Sequence, residues 1–283
     1  MRQAGEVAVV IPARNEADRI QATVSAAIGL PGVAFVVVVD DGSSDDTAVR
    51  AGKAGAAVMR HARSRGKGAA METGAEAVRL LEQREGRDGE RHLLFLDADL
   101  GETAGRAGPL TEPVLVGTAD MTIAVFTTTI KLGGHGLVVG ISGAGIRRAT
   151  GWQPRQPLNG QRCLTRAAFE AARPLAHGFG VETAMTIDLL RKGLRVTEVE
   201  VDLAHRATGT DLKAQLHRAR QLTDVARVVF FREVKNLGSR GERQRASRSP
   251  GRGGPLWPSR PGESNGEKRR GPGGPGGWFL PPG

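Results

Sequence analysis

Two short apolar runs, Val36-Val37-Val38-Val39 and Leu93-Leu94-Phe95-Leu96, each end directly in acids. Asp40-Asp41 follows the first and Asp97-Ala98-Asp99 follows the second. A buried strand gains nothing from a terminal pair of carboxylates unless something cationic meets them there. At the carboxyl edge of an open α/β sheet, that something is usually a ligand or a metal. Two such strands imply a single acidic rim able to hold a divalent cation and a phosphorylated ligand.

The pattern around these runs sets the fold class. Glu6 to Ile11 reads as a strand, followed by an amphipathic helix to about Leu30. Phe35 to Val39 is a second strand, followed by a helix from about Asp46 to Ala54 and a short strand at Ala57-Val58-Met59. Gly66-Lys67-Gly68 opens a long helix to about Gln83, with Met71, Ala75, Val78 and Leu81 at helical spacing. Strands alternating with helices at this pitch predict an α/β fold with a mostly parallel central sheet flanked by helices. In the second half, Met121 to Phe126 and Arg195 to Val201 read as strands. Thr165 to Ala172, Val181 to Lys192 and Asp211 to about Glu233 read as helices. Thr127 to Gly145 reads as a Gly-rich connection suited to a mobile ligand loop. Beyond Asn236 the chain turns to Gly, Pro, Ser and Arg with almost nothing to bury, so residues 236–283 are expected to be a disordered basic tail.

Composition narrows the classes. The net charge is +10 over 283 residues, but the segment from Asn236 onward holds nine Lys/Arg against three Glu. The rest therefore carries about +4, with no basic helix interleaved with aromatics, and no specific nucleic-acid partner is expected. A single cysteine, Cys163, rules out an intramolecular disulfide and a cysteine-built zinc site. Apolar runs fall short of the roughly 18 residues that would span a bilayer, and the N-terminus lacks a signal-peptide core. These features predict a cytoplasmic chain, with peripheral contact at the inner membrane surface and a homodimer both compatible with the sequence.

Four motifs carry chemistry. Pro12-Ala13-Arg14-Asn15-Glu16 ends the first strand and places polar groups where a helix N-terminus favours an anionic ligand, or where Asn15 caps the helix. In Asp40-Asp41-Gly42-Ser43-Ser44-Asp45-Asp46-Thr47, Gly42 permits a sharp turn and Asp45 or Asp46 can cap the next helix. Asp40 and Asp41 have no such local task and could accept hydrogen bonds from a base edge or ribose hydroxyls. Gly66-Lys67-Gly68 has the character of a phosphate-binding turn, though not a Walker A motif. Asp97 and Asp99 supply hard oxygen ligands of the kind Mg²⁺ or Mn²⁺ shares with substrate phosphates.

These four motifs, in this order over roughly Glu6 to Leu100, resemble the nucleotide-binding half of a family 2 glycosyltransferase with the GT-A fold. The resemblance implies a nucleotide-sugar donor, UDP- or GDP-hexose, and a Mg²⁺ or Mn²⁺ cofactor. It places Pro12, Ala13, Asn15 and Glu16 beside the base and ribose, with Asp40 and Asp41 at the nucleoside. Gly66 and Lys67 would lie near the diphosphate, Asp97 near the ribose or sugar, and Asp99 on the metal.

The second half is similar to the acceptor half of glucosyl-3-phosphoglycerate synthases. The similarity runs through Gly178-Phe179-Gly180-Val181-Glu182-Thr183 and Val199-Glu200-Val201-Asp202-Leu203-Ala204-His205-Arg206. It implies that Glu182 and His205 complete the metal and donor site. Gly143-Ala144-Gly145-Ile146-Arg147 resembles a degenerate form of the loop that holds a phosphorylated acceptor there. The same region resembles dolichol-phosphate mannose synthases, in which Arg206 would face a lipid phosphate.

The implied organisation is a nucleotide-sugar half at 1–110 and an acceptor half at 111–235. The implied function is metal-dependent transfer of a hexose to a phosphorylated acceptor, either 3-phosphoglycerate-like or a polyprenyl phosphate. Asp97, Asp99 and Glu182 are then the catalytic candidates, with Asp99 and His205 on the metal. Two alternatives stand beside it: a nucleotidyltransferase sharing the sheet, and a degenerate scaffold that binds through its basic tail.

Overall fold

Strand propensity and burial agree most closely in the first ninety residues. Val7–Ala13 (β1), Val33–Asp40 (β2) and His92–Phe95 (β4) are apolar nearly throughout, as strands covered on both faces must be. The computed structural model describes residues 6–127 and 136–204 together with 223, 224, 226 and 227. Ala57–Arg60 (β3), Met121–Phe126 (β5), Arg162–Leu164 (β6) and Val196–Val201 (β7) complete a seven-stranded sheet in the order β3-β2-β1-β4-β6-β5-β7. β1 pairs in parallel with β2 and β4, β2 with β3, and β5 with β7, whereas β6 runs antiparallel to both β4 and β5. The mostly parallel sheet flanked by helices is the fold class expected from the alternation.

The described residues also form seven α-helices, Ile20–Ile28 (α1), Thr47–Lys53 (α2), Lys67–Arg84 (α3), Glu112–Leu115 (α4), Gly136–Thr150 (α5), Arg166–Ala172 (α6) and Val181–Arg191 (α7), and three short 3-10 helices. The period-2 side-chain alternation of the strands divides the core between two faces. Val9, Ile11, Val36, Val38, Leu94 and Leu96 pack with Ile20 and Val24 of α1. Ala8, Val10, Val37, Val39, Leu93 and Phe95 pack with α3, α6 and α7 on the other face, where Phe95 stacks on Phe169. A Cβ on Gly74 of α3 would overlap Val10, so only glycine lets α3 lie this close to β1.

Two expectations are corrected. Residues 136–150 form α5 rather than a Gly-rich loop, so Gly143 and Gly145 are buried helical positions and not part of an anion-holding turn. Ser142 on this helix bonds Thr183 of α7 at 2.7 Å. The second correction is β6, whose three residues carry no strand expectation. His205, Arg206, the tail at 236–283 and all but four positions of the helix expected over 211–233 lie outside the described residues. Among the described residues no helix is long and apolar enough to cross a membrane.

Candidate functional site

The parallel register brings three strand exits to one edge. Ala13 pairs with Asp40 and Val10 with Phe95, so the chain leaves β1, β2 and β4 side by side. The first two exits are stitched together. Asn15, with φ 55° in the left-handed region, donates its backbone N–H to Ser43 Oγ at 2.9 Å, and its Oδ1 accepts from Ser44 N at 2.9 Å. Glu16 N donates to Thr47 Oγ1 at 2.9 Å and Ala17 N to Asp45 Oδ2 at 3.2 Å. Asn15 therefore ties loop to loop instead of capping α1, which begins at Ile20 with no side-chain cap. Pro12 and Ala13 close the end of β1, where Ala13 O accepts from Asp41 N at 2.8 Å.

Asp40 and Asp41 do have local tasks, contrary to expectation. Asp40 is fully buried. Its Oδ1 accepts from Ser43 N at 3.0 Å, and Arg60 Nε lies 3.1 Å from Oδ2. Asp41 gathers the segment that follows β3. Its carboxylate accepts from Arg65 N at 2.7 Å, Gly66 N at 2.9 Å and Ser64 Oγ at 2.7 Å, and meets His61 Nδ1 at 2.7 Å. Four donors saturate a carboxylate's acceptor capacity. Burial raises the Asp41 pKa, but the bonds from Arg65, His61, Ser64 and Gly66 outweigh it and hold the group at about 2. Gly42 has φ 72°, and a Cβ there would stand 2.8 Å from the backbone of Arg63 and Ser64, so the close approach of the two loops depends on glycine. A recess of about 390 Å³ lined by Gly42, Ser43, Arg60, His61 and Ala62 opens beside them.

The sign of the Asp41 linkage is fixed by its depressed pKa. Its stabilisation is present above the ordinary carboxylate value of 3.8 and is lost as pH falls toward about 2. Such a shift corresponds to about 2 kcal/mol. Asp41→Asn turns an NH₂ group toward donors that need an acceptor. It is expected to cost on the order of 2–4 kcal/mol at neutral pH and to flatten the loss of stability between about pH 4 and 2. Urea unfolding of both proteins across that range checks this; parallel acid profiles would refute it.

The third exit carries the chemistry-bearing cluster. Lys67, the first residue of α3, donates to Asp97 Oδ1 at 2.7 Å, and the same Nζ lies 2.9 Å from Glu182 Oε1 in the first turn of α7. Burial would lower the Lys67 pKa, but the charges of Asp97 and Glu182 outweigh it and raise the group above its ordinary value. The Lys67 side chain as a whole is still 30% exposed. Gly66, with φ 91°, turns the chain into α3. A Cβ on Gly68 would stand 2.6 Å from Ala176 O, so glycine is needed for the first turn of α3 to lie against that segment.

Asp99 lies two residues beyond Asp97, half-buried, on a segment secured from α1. Arg19 Nη1 donates to Asp99 O at 3.1 Å and Thr23 Oγ1 to Ala98 O at 2.8 Å. Arg147 stands exposed in the last turn of α5, outside the Lys67 cluster. Among the described residues no three His, Cys, Asp or Glu side chains form a protein-only metal cage. Mg²⁺ and Mn²⁺ are commonly held by one or two carboxylates plus substrate phosphates, and Asp99 at an open strand exit fits that donor chemistry.

The cluster contains residues that no motif announced. Gln161 bonds Asp97 at both its backbone N–H and its carboxylate. Arg162, 1% exposed, lies beneath Glu182 and donates to its backbone O at 3.0 Å. The available signal was a polar Asn-Gly-Gln-Arg stretch running directly into the apolar Cys163-Leu164.

Comparison with known proteins adds to this geometry. Residues 8–137 match the family described as Glycosyl transferase family 2. The chain is 31% identical over 213 residues to Glycosyltransferase AglJ of Haloferax volcanii, covering 72% of this chain and 65% of that protein. It is 35% identical over 118 residues to the uncharacterized protein MJ1222 of Methanocaldococcus jannaschii, covering 42% and 45%. The chain thus spans less than two thirds of the length of both curated relatives. Among solved structures, glucosyl-3-phosphoglycerate synthase from Mycobacterium tuberculosis in complex with phosphoglyceric acid superposes with a TM-score of 0.62 at 25% identity, over 79% of each chain. The same enzyme with Mg²⁺ and uridine diphosphate gives 0.63 at 24% identity, over 80% of this chain and 78% of that one.

Proposed function

We infer, from a chain that carries a glycosyl transferase family 2 domain with the GT-A fold, a metal-dependent transfer of a hexose. The donor is a UDP- or GDP-sugar and the acceptor a phosphorylated molecule, either a small 3-phosphoglycerate-like acid or a polyprenyl phosphate. The observation that carries this reading is the Lys67 ammonium held between Asp97 at the β4 exit and Glu182 on α7. A cation between two acids, on a partly exposed side chain, suits a site that receives an anionic diphosphate and must manage its charge as the sugar departs. The M. tuberculosis enzyme of the same fold was solved with Mn²⁺, UDP-glucose and phosphoglyceric acid, which favours a donor and acceptor of this kind.

In this reading residues 1–110 form the donor half and 111–235 the acceptor half. The recess at Gly42, Ser43 and Arg60 takes the nucleoside, and the saturated Asp41 carboxylate acts by fixing that recess rather than by reading the base. Asp99 would hold the metal together with the diphosphate oxygens, and His205 stands as a further candidate ligand. The bound metal supplies charge neutralisation at the leaving diphosphate. Lys67 supplies a second positive charge beside it. Asp97 orients the donor. Bond breaking occurs between the sugar's anomeric carbon and the diphosphate, and bond formation between that carbon and an acceptor oxygen. If the acceptor is a hydroxyl and the reaction inverts, its proton passes to Glu182, the acid on the α7 side of Lys67.

A matrix of UDP- and GDP-hexoses against 3-phosphoglycerate and a short polyprenyl phosphate, assayed for nucleotide release with Mn²⁺ and with chelator, tests the reading. One productive pair is expected, silenced by chelation, and Asp99→Ala should make the residual rate insensitive to added Mn²⁺. Absence of nucleotide release and of nucleotide binding from every pair would overturn it.

A further inference from the structure

Asp97 is held from two sides, and only Lys67 belongs to a motif visible in the sequence. Gln161 makes two further contacts: its Nε2 donates to Asp97 Oδ2 at 2.9 Å, and its Oε1 accepts the Asp97 backbone N–H at 3.0 Å. A carboxamide that engages both the main chain and the carboxylate of one aspartate fixes the rotamer and the carboxylate plane together. Lys67 on Oδ1 and Gln161 on Oδ2 then leave the group no alternative orientation without breaking a bond.

Gln161 is itself fully buried and fixed. Its N–H donates to Asn159 Oδ1 at 3.0 Å, Asn159 Nδ2 donates to Gln156 Oε1 at 3.1 Å, and Gln156 Oε1 accepts from Phe126 N at 3.2 Å. The chain of bonds thus runs from Asp97 to the end of β5. Gly160 lies against the pair: a Cβ there would overlap Lys67 Nζ and stand 3.0 Å from both Asp97 carboxylate oxygens. The turn closes over the ion pair with no room for a side chain.

We propose that Gln161 is a positioning residue for sugar transfer, clamping Asp97 so that Asp97 and Lys67 face the donor in one geometry. Gly160 is the position whose missing side chain lets the clamp close. Because Lys67 also meets Glu182, the clamp sets the separation between the donor-side acid and the acceptor-side acid. The proposal rests on the glycosyltransferase reading of Asp97 and Lys67, and its test separates the two. Misplacement by about an ångström in such a site costs on the order of 10²-fold in rate.

Gln161→Leu is expected to lower kcat/KM for the donor by roughly that factor. In an Asp97→Ala background the same substitution should add less than about twofold, since Gln161 acts only through Asp97. Gly160→Ala should reproduce the loss of kcat/KM while leaving Gln161 in place. Hydrogen exchange provides a readout independent of turnover: Gln161→Leu should accelerate exchange at the Asp97 amide and in residues 181–185 while residues 7–13 stay unchanged. Additive losses in the Asp97→Ala background, or unaltered exchange at Asp97, would overturn the clamp. An inactive wild type whose exchange responds as expected would overturn the transferase reading and leave the clamp standing.

Discussion

Lys67→Met is expected to lower kcat/KM by about three orders of magnitude, comparable to the loss of a principal electrostatic group from an acyl-transfer site. The side chain lies 2.7 Å from Asp97 and 2.9 Å from Glu182, so methionine leaves two carboxylates facing each other with no cation between them. An incoming diphosphate then meets the two carboxylates without the positive charge that offset them. The raised Lys67 pKa sets the pH dependence of this contribution. A lysine whose folded pKa exceeds its unfolded value contributes fully below about 10.4 and loses the contribution only above that. Lys67 should therefore add no inflection to a neutral-range activity profile, and the wild-type/variant ratio should stay constant across it. Steady-state kinetics of Lys67→Met and Lys67→Arg check this. A fall of less than tenfold for methionine, or a ratio that changes steeply between pH 6 and 9, would refute it.

Arg162→Leu is the substitution expected to damage the fold most. The guanidinium is 1% exposed. It donates to Asn159 O at 2.8 Å, Thr186 Oγ1 at 2.9 Å, Glu182 O at 3.0 Å and Pro157 O at 3.1 Å. Burial pulls its pKa down to about 10, against the opposing pull of Glu182, Asp97 and Glu198, so it remains charged at neutral pH. Leucine removes every donor and takes the guanidinium from the carbonyls of Pro157 and Asn159, while Glu182 O keeps its bond from Thr186 Oγ1, at an expected cost of about 4 kcal/mol. For a domain of this size that lowers Tm by about 10 °C. Lysine should recover little, since a single ammonium cannot span a fork of four acceptors. Thermal and urea melts decide the matter, and a Tm within about 3 °C of wild type would refute the account.

The parallel half of the sheet was legible because each of its strands is an apolar run closed by a turn signal. Val36 to Val39 could not be anything but buried, and Asp97-Ala98-Asp99 marked the functional edge. The errors share a cause. Asp41 looked free of local duties because its partners His61, Ser64, Arg65 and Gly66 lie 20 to 25 residues away in sequence. Glycine at 136, 140, 143 and 145 suggested a loop, yet the segment is helical and joined to α7 by the Ser142–Thr183 bond, because tertiary context overrides propensity. β6 escaped notice because three residues, one of them a buried arginine, leave no periodicity to detect. Gln161 was invisible for a related reason: an amide earns meaning only from what stands opposite it.

The antiparallel β6 has a further consequence, for the order in which the molecule can become competent. It enters the sheet between β4 and β5, and its first residue, Arg162, pairs with Phe95, 67 positions earlier in the chain. The stretch matching the glycosyltransferase family ends at residue 137 and so includes Lys67 and Asp97 but neither Gln161 nor Glu182. A growing chain would display every recognisable donor motif well before it could assemble the cluster that uses them. The last contacts must close a long loop against its conformational entropy, which places them late on the folding path. Competence is therefore a property of the whole domain, acquired at its final strand pairings.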